Sequence, residues 1–199
     1  MNNTLTHQAP IQAPIIVAIT GATGAIYGIE ALRALKDLNI PTHLVVTEAG
    51  ACTLTYETNL SLDDVRALAT TSYNNKDVGA AIASGSFPTA GMLVAPCSVK
   101  TLSGIANSFA NNLVIRAADV CLKERRPVVL MVRETPLHKG HLDLMSRACD
   151  IGCTIAPPVP AFYTKPENIN DIVRHTVGRS FDLFGIQHDL VKPWAGTLK

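Results

Sequence analysis

The run IIVAIT (Ile15–Thr20), followed at once by GATGAIYG (Gly21–Gly28), constrains the fold more than any other part of the chain. A short β-branched run without polar alternation reads as a strand buried on both faces, as in parallel sheets. The glycines turn the chain, and from Ala22 to Leu38 apolar residues recur at helical spacing (Ile26, Ile29, Leu32, Leu35, Leu38) until Asn39 and Pro41 stop them. The same alternation continues downstream. Thr42–Thr47 reads as a strand, Ser61 to Leu68 as a helix with an N-cap and acidic first turn, and Thr70–Lys76 as a polar loop. Gly91–Ala95 is a third strand, followed by a turn at Pro96–Lys100 and a helix from Thr101. Pro127–Val132 is a fourth strand, His141–Cys149 a helix, and Cys153–Ala156 a fifth strand before the stiff PPVP stretch. Glu167–Phe184 is a last amphipathic helix, with Ile169, Ile172, Val173, Val177 and Phe181 on its apolar face. Repeated strand–helix units imply an α/β fold with a doubly wound parallel sheet. The expected organisation is a tail over residues 1–13 and one domain over 14–199.

Composition excludes several function classes. A formal net charge of +1 gives no bulk electrostatic footprint for nucleic acid or membrane surfaces. No apolar run reaches the roughly 18 residues of a membrane-spanning helix. The opening MNNTLTHQAPIQ lacks the charged and apolar regions of a signal peptide. The five cysteines are odd in number and contain no CxxC pair, which fits reduced thiols in the cytoplasm better than a disulfide framework.

The chemistry-bearing residues gather after the strands. Gly21-Ala22-Thr23-Gly24 permits close backbone approach to a phosphate at a helix N-terminus, or else simply makes a tight turn. The spacing is GxxGxxxG, a weak dinucleotide fingerprint, and the second strand ends in Thr47 rather than an acidic ribose ligand. A mononucleotide such as FMN needs no such carboxylate. No Tyr-x-x-x-Lys pair is present, which argues against a short-chain dehydrogenase. Cys97-Ser98-Val99-Lys100-Thr101 is a second anion-site candidate or an ordinary N-cap, and Ser84-Gly85-Ser86 is a further small hydroxyl set. Cys97 reads as a core residue. Arg116, Lys123, Arg125, Arg126 and Arg133 surround the PVVLMV strand, and Glu134 directly follows Arg133 at its carboxyl end, where open α/β sheets bind ligands. Cations with one carboxylate suit a phosphorylated substrate that also needs a proton moved. Arg125 and Arg126 read as a solvated helix end. His138 and His141 lack a third metal ligand and read as structural. Tyr163, after PPVPAF, and Arg179 are either functional or packing residues.

TGATGAIYG, ASGSF, PCSVKTL, RAADVCLKERRP, RETPL and PPVPAFY, in this order, resemble the UbiX-like flavin prenyltransferases, including small subunits associated with hydroxyarylic acid decarboxylases. The resemblance covers about Ile15 to Trp194. It implies a Rossmann-like, three-layer flavoprotein assembled as a homododecamer, with sites shared between subunits and no metal. The implied reaction joins a dimethylallyl group from dimethylallyl monophosphate to N5 and C6 of reduced FMN, giving the prenylated FMN used by a UbiD-type decarboxylase. Carried onto this sequence, the flavin falls to Gly21, Ala22, Thr23, Thr47, Ser98, Val99, Lys100, Thr101 and Arg133. The allylic phosphate falls to Arg116, Lys123, Glu134, Tyr163 and Arg179, with Glu134, Lys123 and Thr23 as catalytic residues. The family often has serine where this chain has Thr23 and Thr47, and an aliphatic residue at Gly140, which bears on local packing. An FMN-dependent decarboxylase and a non-catalytic FMN-binding carrier subunit are the alternative functions.

Overall fold

The computed structural model describes residues 13–191 and Gly196. The expected tail, except Ala13, and Trp194 lie outside the described residues. In chain order the described elements are β1 (Ile15–Ile19), α1 (Ala25–Asp37), β2 (Thr42–Val46), α2 (Glu48–Glu57), α3 (Leu62–Arg66), β3 (Thr71–Asn74) and β4 (Gly91–Cys97). There follow α4 (Val99–Ala106), α5 (Leu113–Lys123), β5 (Val128–Val132), α6 (Lys139–Asp150), β6 (Cys153–Ile155) and α7 (Ile169–Asp182). The six strands form one sheet in the order β3-β2-β1-β4-β5-β6, and every pairing is parallel.

The pleat of β1 divides the core in two. Ile15, Val17 and Ile19 face a layer built from α1, α7, Leu54 of α2 and Val65 of α3. Ile16 and Ala18 face the opposite layer, made by α4, α5 and Ala148 of α6. Each fully buried Ile, Leu or Val contributes about 1.5–3 kcal/mol before conformational entropy is subtracted. The arrangement is the three-layer, doubly wound architecture the strand–helix alternation implies.

Four local expectations change. Thr71–Asn74, expected as loop, is the edge strand β3, paired to β2 from His43↔Thr71 to Val46↔Asn74. An edge strand tolerates a polar sequence because one side meets water. The strand at Gly91 runs past Ala95 to Cys97: its ladder shifts after Val94 and resumes at Cys97↔Val132. Helix α2 has no counterpart in the sequence reading. It buries only Gly50 and Leu54, and its threonines spend their hydroxyls on carbonyls four residues back, as Thr53 does on Ala49 and Thr55 on Ala51. Ile169, expected on the apolar face of α7, is 73% exposed, because that helix begins there and its buried face starts at Val173.

Candidate active site

The connections from β1 and β4 leave the sheet toward opposite layers, so a crevice opens between their carboxyl ends at the point where strand order reverses. Thr20, wholly buried, locks this opening: its hydroxyl donates to Pro96 O (2.7 Å) and accepts from Ser98 N (2.8 Å). A cavity of about 830 Å³ lies there, lined by Gly21, Thr47, Ser98, Lys100 and Thr101, with Cys52, Asn75 and Asn112 farther round. Small-molecule sites occupy roughly 300–1,000 Å³. A Cβ at Gly21 would stand 2.4 Å from Ala49 Cβ, so only glycine lets the turn lie this close to α2.

Two helix starts at the cavity carry hydroxyl caps. Thr47 Oγ1 accepts from Gly50 N (3.0 Å) at the start of α2. Ser98 Oγ accepts from Thr101 N (3.3 Å) and donates to Thr101 Oγ1 (3.1 Å) at the start of α4. Val99 is the first residue of that helix. The start of α1 is different. Gly24, at φ 100°, has no side chain to cap it; instead the Glu57 carboxylate accepts from Gly24 N (2.8 Å) and Ala25 N (2.9 Å), and from the Thr23 hydroxyl. Ala22 is buried in the same turn. The glycine turn was expected to offer its amides to a phosphate, and two of them already hold an anion. A second anion at those two amides would be repelled by the Glu57 carboxylate. Sequence reasoning missed Glu57 because it closes the unassigned helix α2, and missed Thr20 because it read as the last residue of a strand.

Arg133 extends the β5–β4 pairing, its N–H donating to Cys97 O (3.1 Å). Its charge works against the burial that raises the pKa of Tyr27 on α1. Glu134 is exposed and accepts from Thr135 N (2.9 Å).

The other cations lie elsewhere on the chain. Arg116 pairs with Asp119 (3.2 Å) and donates to Ala83 O (3.2 Å), while Lys123 pairs with Glu124. Arg179 pairs with Asp182, and its neighbour His175 shares a hydrogen bond with the Tyr163 hydroxyl (3.2 Å). Burial first, and the Arg179 charge second, lower the pKa of His175. Arg179 and His175 line a cavity of about 250 Å³ with Pro157 and Val159. The 830 Å³ cavity is lined by none of Arg116, Lys123, Glu134, Tyr163 or Arg179, and of the residues expected on the flavin Ala22, Thr23, Val99 and Arg133 also lie outside its lining. One chain therefore presents a flavin-sized crevice and two separate cationic sets.

The chain matches the Flavoprotein family over residues 3–180. It is 54% identical over 186 residues to the flavin prenyltransferase UbiX of Salmonella typhimurium, covering 92% of this chain and 98% of that one. The structure of AnUbiX (PadA1) in complex with FMN and dimethylallyl pyrophosphate superposes with a TM-score of 0.92 at 46% identity, covering 94% of this chain and 100% of the other. A dodecameric FMN-dependent UbiX-like decarboxylase from Escherichia coli O157:H7 gives 0.89 at 48%, covering 92% and 100%. This chain belongs to the UbiX-like flavin prenyltransferase family.

Two departures from the family pattern acquire local reasons. A Cβ at Gly140 would stand 2.9 Å from His138 Cε1, and His138 is the N-cap of α6, its Nδ1 accepting from Gly140 N (3.0 Å). Glycine at 140 makes room for a histidine cap. That cap also commits a nitrogen of His138, whose ring lies tilted by 33° against that of His141 at 3.7 Å between centroids. Thr23 keeps the hydroxyl that serine supplies in the family, and that hydroxyl is the one bound to Glu57. Cys97 is buried, as expected of a core residue, and burial pushes its thiol far above the usual range.

Proposed function

We propose that this UbiX-like protein joins a dimethylallyl group from dimethylallyl monophosphate to N5 and C6 of reduced FMN, releasing phosphate. The prenylated FMN then serves a UbiD-type decarboxylase. The observation that carries this is the 830 Å³ crevice at the β1–β4 switch point, in a chain 46% identical to a structure holding FMN and dimethylallyl pyrophosphate.

The crevice fits a flavin mononucleotide. Thr47, Ser98 and Thr101 offer hydroxyls and helix-start amides, Val99 a backbone amide and Lys100 and Arg133 positive charge, which together suit a phosphate dianion. Gly21 gives the crevice its close wall, and Ala22 and Thr23 continue the same turn behind it. Bound there in its reduced form, the flavin supplies the nucleophilic nitrogen, so no protein nucleophile is required.

The chain's own residues do the rest. Arg116, Lys123 and Arg179 hold the charge that grows on phosphate as the allylic C–O bond breaks, and Tyr163 donates a hydrogen bond to it. Glu134, exposed beside Arg133, takes up the proton that C6 loses when the carbon–carbon bond forms and returns one to the alkene carbon of the allylic chain, so the ring closes with no net change in protons. Glu57 fixes the Thr23 hydroxyl on the flavin side and keeps other anions away from the start of α1. Since the cationic sets lie apart from the crevice in one chain, a homododecamer like that of the Escherichia coli relative is the assembly we assign. Neighbouring subunits would then supply Arg116, Lys123, Tyr163 or Arg179 to one another's crevices.

No helix among the described residues is long and apolar enough to cross a membrane, and we place the enzyme in the cytoplasm, where its unpaired cysteines stay reduced. Phosphate release from dimethylallyl monophosphate tests the function: it should require both the protein and reduced FMN. Release at the same rate with FMN omitted would reject the assignment.

A further inference from the structure

We infer that Arg126 is a positioning residue for the allylic phosphate site, acting through the Ser84–Phe87 loop on Lys123. This rests on the reading of Lys123 as a ligand of that phosphate. In the sequence Arg126 looked like a solvated helix-end charge, and the structure turns it inward. Helix α5 ends at Lys123, and Arg125 takes a left-handed conformation (φ 57°). Arg126 N then donates back to Cys121 O (2.8 Å), closing the helix and reversing the chain. The guanidinium consequently reaches the loop before β4, donating to Gly85 O (2.8 Å), Phe87 O (2.8 Å) and Thr89 Oγ1 (3.2 Å). Three acceptors on one planar cation hold this loop in place.

What the loop touches gives this clamp a purpose. A Cβ at Gly85 would stand 2.6 Å from Lys123 Nζ and 2.2 Å from Glu124 Oε1, so the loop backbone presses directly on the Lys123–Glu124 pair. Beside it, the Ser84 and Ser86 hydroxyls hydrogen-bond to each other (2.8 Å). Upstream, Arg116 Nε donates to Ala83 O, so a second cation of the same set holds the residue just before the loop. Arg126 thus holds Gly85 as a wall that limits where the Lys123 ammonium can stand. Without the clamp, the Lys123–Glu124 pair loses this wall, and Lys123 meets a phosphate less often in the productive pose.

The test is a double-mutant cycle on the full-length protein, reading KM for dimethylallyl monophosphate, kcat, and FMN affinity by flavin fluorescence quenching. Lys123→Met and Arg126→Gln should each raise this KM about tenfold, with FMN affinity unchanged. The double variant should be no worse than the poorer single one, because one acts through the other. An unchanged KM in Arg126→Gln beside a raised one in Lys123→Met overturns the inference and leaves Lys123 in place. Multiplying effects in the double variant also overturn it. An unchanged KM in Lys123→Met removes the Lys123 reading itself, and the inference with it. Should Arg126→Gln fail to fold, Gly85→Ala leaves Arg126 intact and crowds Lys123. The same rise in KM with normal FMN affinity supports the inference, and an unchanged KM overturns it.

Discussion

The hydroxyl of Thr23 donates to the carboxylate of Glu57, a residue thirty-four positions away at the far end of the next helix but one element on. Because Gly24 and Ala25 amides hold the same carboxylate at 2.8 and 2.9 Å, Glu57 stays in place when the hydroxyl is removed. If Thr23 has the catalytic role the family resemblance gives it, Thr23→Val should keep FMN binding while turnover falls about a hundredfold, the scale of a lost catalytic hydroxyl. Thr23→Ser, which keeps the hydroxyl, should restore most of the rate. Steady-state kinetics with FMN titrations measure both, and normal turnover in Thr23→Val would remove the pair from the mechanism.

Glu134 is exposed and accepts from Thr135 N (2.9 Å), and that exposure suits exchange of a proton with solvent. Glu134→Gln keeps the shape and removes the basic oxygen. The variant should bind FMN normally and lose turnover by about a hundredfold or more. A wild-type rate would take Glu134 out of the proposed proton transfer.

Gly28 separates the two roles that the glycine turn could have. A Cβ there would stand 2.3 Å from Ala95 O and 2.6 Å from Ile19 Cγ1, both on the sheet. Gly28→Ala should destabilise folding by about 1–3 kcal/mol through overpacking, seen as a lower urea midpoint. A stability equal to the parent would mean that α1 does not pack this tightly on β1 and β4.

His43 gives the fold a pH dependence of known sign. It is buried on β2, its Nδ1 within 2.8 Å of the Tyr73 hydroxyl and its ring edge-on to Phe87. Burial lowers its pKa, so the unfolded chain takes up the proton first as pH falls. The stabilisation is present above the unfolded value of about 6.5 and is lost as pH falls below it toward the folded value. Urea midpoints should drop over that window, and less steeply in His43→Gln; identical slopes would show that His43 titrates as freely as in the unfolded chain.

Much of this was legible from residues. The buried runs at Ile15, Thr42, Gly91 and Pro127 marked parallel strands because burial on both faces leaves no polar alternation. Placement after strands marked Gly21, Thr47, Ser98 and Arg133 as a group; the first three line the crevice at the switch point, and Arg133 does not. Helix α2 escaped because hydroxyls bonded to the backbone hide its periodicity, and with it went Glu57, a contact that only tertiary structure creates. Arg126 escaped for a related reason. Its direction depends on the left-handed turn at Arg125, which nothing in a run of like charges signals.

The most direct measurement is the mass and absorption spectrum of the flavin after anaerobic incubation of the purified protein with reduced FMN and dimethylallyl monophosphate. The flavin should gain the mass of one dimethylallyl group less one hydrogen, with a changed spectrum, as phosphate appears. Recovery of unmodified FMN from protein shown to bind both substrates would contradict the prenyltransferase assignment.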